Sequence, residues 1–149
     1  MRAKYILIAT LILFIGIQFI QPVRNTSGQA LPQSFLDTFQ VNDTVKNLLA
    51  NSCFDCHSNN TKYPWYTNIQ PVSWLMAKHI NDGKAELNFD DLAALSNRRR
   101  NSKFKSISEQ IEQDEMPLKS YLLIHRKAAL NEADKKLLIN FFQSKINNN

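Results

Sequence analysis

The stretch Cys53-Phe54-Asp55-Cys56-His57 reads C-x-x-C-H and decides how the rest of the chain is interpreted. This spacing is the attachment signature of c-type haem. Two cysteines so spaced lie on one face of a helical turn, where both thiols can reach the vinyl groups of one porphyrin. His57 follows directly, as the proximal iron ligand would. The motif therefore predicts one haem c, attached covalently through Cys53 and Cys56.

The same residues are compatible with other kinds of site. Cys53 and Cys56 can pair as a disulfide, or bind zinc with His57 and His79 as further ligands. A thioredoxin-like redox pair would need a βαβ pattern around the cysteines. The sequence contains no such pattern, so the disulfide and the zinc site remain as the alternatives to haem.

Residues 1–24 predict an exported chain that stays in the inner membrane. Arg2 and Lys4 precede an apolar run, Tyr5 to Ile20. Positive charge before such a run keeps that end in the cytoplasm, so the remainder crosses to the periplasm. No small-x-small cleavage pattern follows the run directly. We therefore expect an uncleaved signal anchor with the haem domain in the periplasm, and a removed signal peptide is the alternative.

Length and charge limit the class of protein. The chain has 149 residues, which is enough for one domain, and a formal net charge of +5. Arg2, Lys4 and Arg24 flank the apolar run and contribute three of these charges. The remaining excess is too small to indicate a nucleic-acid partner. We expect redox proteins of the periplasm or membrane as partners, and the oligomeric state stays open.

Apolar residues recur at helical spacing, and no period-two alternation is sustained, so the sequence predicts an all-α fold. Residues 25–40 are polar and mixed, which predicts a tether, and residues 41–146 form the expected haem-binding domain. The terminal asparagines should fray.

Three helices within that domain have readable ends. One should begin at Asn42 or Asp43 and carry its apolar face straight into Cys53 and Cys56. Another should start after Pro71 and end at Gly83. The last, capped by Asn131, should cross the first and close the domain.

Met116 is the expected sixth ligand of the iron. Pro117 ends the preceding helical pattern and favours an extended conformation for Met116. A thioether ligand favours ferrous iron and raises the potential. His79 is the main alternative, followed by Met76, His125 or an open distal position.

The surroundings of the haem are also predicted. A carbonyl on the Pro64 or Pro71 segment should accept the far N–H of His57. Arg98-Arg99-Arg100 either meets the propionates or forms a solvated helix end. Aromatic residues after the motif should wall the haem or join an ordinary core: Tyr63, Trp65, Tyr66 and Trp74.

Three segments together resemble a known family. They run from Cys53 to Tyr66, from Asn68 to Trp74 and from Glu115 to Tyr121. The sequence is similar to the haem-binding-domain family of small bacterial c-type cytochromes from about Phe35 to Gln143. This resemblance implies a cytochrome c-like helical fold, covalent haem on both cysteines and His57 as an axial ligand.

Electron transfer is the function that these features favour. A membrane-tethered single-haem protein carries electrons and needs no catalytic residues, so an enzyme is not expected. A haem-based sensor or a peroxidase-like enzyme with a displaceable distal ligand is the alternative, and a zinc-binding structural module is a third possibility. The sequence contains no phosphate loop, nucleophile elbow or carboxylate-rich metal motif.

Overall fold

The computed structural model describes residues 2–29 and 31–147, and these residues form helices without a strand. Their β pairing is limited to one antiparallel bridge between Thr26 and Asn60. Short 3₁₀ turns lie at Trp65–Asn68 and Arg126–Ala128. The all-α prediction is therefore confirmed. The helices are α1 (Arg2–Ile17), α2 (Gln33–Thr38), α3 (Asp43–Ser52), α4 (Phe54–His57), α5 (Val72–Glu86), α6 (Phe89–Leu92), α7 (Asn97–Glu112), α8 (Lys119–Leu122) and α9 (Glu132–Asn147).

The helices α7 and α9 pack along each other and carry much of the core. Phe104, Ile107 and Ile111 recur at helical spacing on α7, and all three are buried. Leu138 and Phe142 on α9 are fully buried. Asn131 is the cap of α9, as predicted, and it exchanges hydrogen bonds with Asp134 as a capping box. Helix α9 does contact α3, but its main partner is α7.

A chain of aromatic rings joins the core to the C-x-x-C-H motif. Phe54, inside the motif, packs edge-to-face on Phe89 with ring centroids 5.2 Å apart. Phe89 in turn packs on Phe35 of α2, at 4.9 Å. Part of the expected tether is therefore built into the core, because Phe35, Leu36 and Phe39 are all buried. The terminal asparagines at 148 and 149 lie outside the described residues.

The predicted single helix through Cys56 is wrong, because the chain breaks at Cys53. Helix α3 begins after Asn42, whose side chain accepts from the Val45 N–H, and it ends at Ser52. Cys53 then adopts φ −128° and ψ −46°, and α4 starts at Phe54. In one continuous helix Phe54 would lie about two and a half turns beyond Val45, on the opposite face. The break allows both side chains to be buried.

Helix α5 starts after Pro71 as predicted but does not end at Gly83. It continues to Glu86, and the Leu87 N–H donates to the Gly83 carbonyl at 2.8 Å. Gly83 therefore does not terminate the helix. Its lack of a side chain leaves space between α5 and α4.

Helix α1 has no buried residue, and its apolar side chains are exposed along its length. No helix within the described residues combines the length and apolarity needed to cross a membrane. The chain just beyond α1 is bonded to the start of α5. The Gln70 side chain, fully buried, donates to the Ile20 carbonyl at 2.8 Å, and the Trp74 indole donates to the same oxygen at 2.9 Å.

Candidate functional site

Two cavities meet at the C-x-x-C-H motif. The first, of about 320 Å³, lies between α3, α6 and α7, and the second, of about 280 Å³, lies between α4, α5 and α8. Both are lined by Cys53, His57 and Met116. The first has an apolar wall from Leu87, Phe89, Ile107, Ile111 and Leu130. One slot therefore passes between the cysteine that opens the motif, the histidine that closes it and the methionine predicted as the sixth ligand.

The imidazole of His57 is held by two carbonyls. Its Nδ1 lies 2.9 Å from the Gly83 oxygen and 3.0 Å from the Leu87 oxygen. A carbonyl oxygen only accepts, so Nδ1 carries the proton and Nε2 keeps its lone pair. No residue among 2–29 and 31–147 donates to Nε2. The prediction that a carbonyl orients His57 is right, but the segment is wrong, since α5 supplies the partner and the Pro64 and Pro71 segments do not.

Burial favours the neutral form of His57. It lowers the pKa of the imidazole, while the carbonyls of Leu87 and Gly83 act in the opposite direction. A neutral imidazole with a free Nε2 is the form that binds a metal. The hydrogen bond from Nδ1–H to a carbonyl, which normally orients such a ligand, is already present.

The two thiols are free and are kept protonated by burial. Burial, with the neighbouring Cys56, raises the pKa of Cys53 to about 12. Burial, with the charge of Asp55, raises the pKa of Cys56 to about 11. No disulfide joins them. A redox-active or nucleophilic cysteine has a lowered pKa, so these thiols are unlike that class.

A tight turn after α7 places Met116 in the slot. Asp114 adopts φ +57°, the left-handed conformation common at helix ends. The Glu115 and Met116 N–H groups both donate to the Gln110 carbonyl, at 3.0 and 3.2 Å. Met116 is thereby fixed to the last turn of α7 and lines both cavities.

The alternative distal ligands are placed less centrally. His79 lines the cavity beside Cys56 and also a third, smaller cavity of about 80 Å³. Met76 and His125 line that smaller cavity and neither of the large ones. Met116 is thus the candidate present in both large cavities, and His79 is present in one.

The sequence left two environments open for four aromatic residues, a haem wall or an ordinary core, and the structure does not show the wall. Tyr63, Trp65, Tyr66 and Trp74 line neither large cavity. Trp65 is 75% exposed, while the Tyr63 hydroxyl accepts from the Asn25 N–H and Tyr66 bonds to His125 at 2.7 Å. Tyr63 and Trp74 instead hold the N-terminal segment, through Asn25 and Ile20, and Tyr66 holds His125. Composition does not distinguish these roles from a cofactor wall.

The arginine run at the start of α7 is the solvated helix end that the sequence offered as the alternative to a propionate site. Arg98 and Arg99 are exposed at the start of α7, and Arg100 lies over the Phe39 ring and bonds locally. Lys103, one turn further along α7, lines the first cavity and donates to the Glu86 carbonyl. Lys103 was missed because its helix is rich in basic residues, and only packing shows which of them reaches the cavity.

The motif is tied to α8 by a partly buried polar contact. The Tyr121 hydroxyl donates to Asp55 at 2.8 Å, and the Tyr121 ring stacks on His125 with centroids 4.0 Å apart. Burial and the charge of Asp55 raise the pKa of Tyr121, which keeps the phenol protonated and donating. Asp55 also accepts from the Lys62 N–H. Phe54 and Asp55, the two residues between the cysteines, therefore anchor α4 on both sides. Phe54 packs in the core, and Asp55 bonds to α8.

Residues 12–144 match the haem-binding domain, which covers most of the chain. The chain belongs to the haem-binding-domain family. The resemblance found in the sequence is confirmed, and haem is supported as the cofactor. No curated protein and no solved structure gave a significant match.

The residues of the slot fit the haem that the family implies. They combine a large, mainly apolar space, two free thiols, and an oriented imidazole with an unbonded Nε2. A zinc site would need three or four protein ligands together. Among the described residues, no group of three or more His, Cys, Asp or Glu side chains is arranged to hold a metal ion.

Proposed function

We propose that this member of the haem-binding-domain family carries one haem c and transfers electrons as a membrane-attached periplasmic protein. The observation that carries the proposal is that Cys53, His57 and Met116 line both halves of one apolar slot. Haem supplies a one-electron ferric/ferrous couple when it is bound. The chain supplies attachment, axial ligands and exclusion of water, and it needs no further reactive group.

Each residue of the motif has one role in the proposal. Cys53 and Cys56 provide thioether links, so that the cofactor stays with an exported chain. His57 offers Nε2 to the iron while its Nδ1–H remains bonded to Gly83 and Leu87. Met116 is the proposed sixth ligand, and its thioether stabilises the reduced state. Lys103 is the proposed partner of a propionate, because it is the cationic side chain lining the first cavity.

Attachment to the inner membrane is proposed for α1. Its side chains, from Tyr5 at 69% to Phe14 at 45% exposed, would present a continuous apolar surface to water. Exposure of that area is unfavourable, so a lipid environment is the proposed partner of this helix. Fractionation tests this: the chain should stay with membranes after an alkaline wash, and a double Leu7→Lys, Leu11→Lys variant should be released.

Expression in a host that attaches haem c tests the central proposal. The purified protein should be red, its haem should survive acid-acetone extraction, and its mass should exceed that of the polypeptide by one haem. Cys53→Ala and Cys56→Ala should each lose one thioether link and the double variant should lose covalent haem, whereas Ser102→Ala on the exposed side of α7 should retain it. A colourless, folded wild-type preparation from that host would contradict the proposal.

Carbon monoxide separates an electron carrier from the sensor or enzyme alternative. The carrier needs a six-coordinate iron that does not bind exogenous ligands, so the reduced protein should not bind the gas. Ready binding by the wild type would favour a displaceable distal ligand.

A further inference from the structure

Helix α5 approaches the C-x-x-C-H motif more closely than any side chain at position 83 would allow. A Cβ at Gly83 would lie 2.9 Å from the Cys56 carbonyl oxygen, 3.3 Å from Cys56 Cβ and 3.4 Å from His57 Cε1. The first distance is shorter than unbonded carbon and oxygen approach each other. Because the contact is with backbone, a flexible side chain cannot relieve it. The close approach at this position therefore depends on the missing side chain.

The cost of glycine inside a helix supports a specific role at position 83, one turn before α5 ends at Glu86. Glycine destabilises a helix interior by about 0.5–1 kcal/mol relative to alanine. Gly83 lies within α5 and has no left-handed backbone angle that would require it. Space between α5 and α4 is the remaining physical reason, and the same approach brings the Gly83 carbonyl to 2.9 Å from His57 Nδ1.

We propose that Gly83 is a positioning residue for the haem iron. Its missing side chain lets the end of α5 approach the motif, so that the Gly83 carbonyl, together with the Leu87 carbonyl, sets the orientation and basicity of the proximal ligand. The inference rests on the proposed function, in which His57 binds the iron. A bond from Nδ1–H to a carbonyl makes an imidazole more basic, which stabilises the ferric state. Gly83 thus acts on the reduction potential through His57 without touching the cofactor's iron.

Gly83→Ala in the haem-loaded full chain tests this role, with Gly16→Ala as the matched control. Gly16 is also helical, and a Cβ there meets nothing within 4 Å. We expect Gly83→Ala to shift the potential to more positive values and to speed exchange of the His57 Nδ1–H at least tenfold. Gly16→Ala should change neither. A Gly83→Ala protein with the wild-type potential and exchange rate would overturn the inference.

A labelling experiment on the wild type keeps the inference testable if Gly83→Ala does not fold. The chain contains three glycines and three histidines, so carbonyl-¹³C glycine and ring-¹⁵N histidine give few possible pairs. In the reduced, diamagnetic protein, dipolar dephasing should connect one glycine carbonyl to one protonated Nδ1. A haem-bearing wild type without this dephasing overturns the inference alone. A wild type without covalent haem overturns the proposed function, and the inference with it.

Discussion

Met116 and His79 both reach the slot, and their positions define a discriminating experiment. Met116 lines both large cavities, whereas Met76, on α5, lines the small one and neither large one. Met116→Ala should abolish the weak near-red sulfur-to-iron band of the ferric protein and allow the reduced form to bind carbon monoxide. Met76→Ala is the matched control and should retain the band. If the wild type lacks the band, Met116 is not the ligand, and His79→Ala becomes the variant to measure.

The thiols give a prediction for the chain before haem is attached. Their pKa values, about 12 for Cys53 and about 11 for Cys56, leave both protonated at neutral pH. Since only thiolates are alkylated, iodoacetamide should react much more slowly with the folded chain than with the unfolded one. The rate at Cys56 should rise about tenfold per pH unit until about pH 11, ahead of Cys53. Fast reaction of both at pH 7, followed by mass spectrometry, would contradict the burial described here.

Among the helices, α6 links the core to the motif. Phe89 is buried between Phe35 and Phe54 and also lines the first large cavity. Phe89→Ala should lower the free energy of unfolding by about 3–5 kcal/mol, because it leaves a cavity in a ring cluster. It should also loosen α4 against the core.

Urea denaturation monitored by circular dichroism measures the loss at Phe89. Trp65→Ala is the control, since that ring is 75% exposed and its removal should change the free energy of unfolding by less than about 0.5 kcal/mol. Equal effects of the two substitutions would show that Phe89 is not part of the cooperative core.

For the whole molecule, the contact between the N-terminal segment and α5 determines how freely the domain moves relative to α1. The Gln70 side-chain amide donates to the Ile20 carbonyl and accepts from the backbone N–H of Trp74. The residues just beyond α1 are therefore bonded to the domain. Gln70→Ala should cost about 1–2 kcal/mol locally. Trypsin cleavage after the exposed Arg24 should then become roughly five- to thirtyfold faster.

Gln33→Ala is the matched control for that proteolysis. Gln33 is an exposed glutamine whose side chain bonds only to Asp37 on its own helix. Its substitution should leave the cleavage rate after Arg24 unchanged. A Gln70→Ala rate equal to the wild-type rate would mean that the segment beyond α1 moves freely, as a simple tether would.

The sequence by itself was sufficient for the local features of this protein. The caps at Asn42 and Asn131 and the helical spacing of apolar residues, seen on α7, depend on neighbours along the chain, and each is found as predicted. Membership of the haem-binding-domain family follows from the same short-range patterns.

Only the tertiary structure decided how distant segments meet. The structure shows that α5 supplies a carbonyl partner of His57 and that Gly83 leaves the space for this approach. It also shows that the motif helix breaks at Cys53 and that Lys103 lines the slot. These features depend on the approach of one helix to another, and that approach is determined by packing across the whole core. Periodicity along the chain reports which face of a helix is buried, but it does not report which partner buries it.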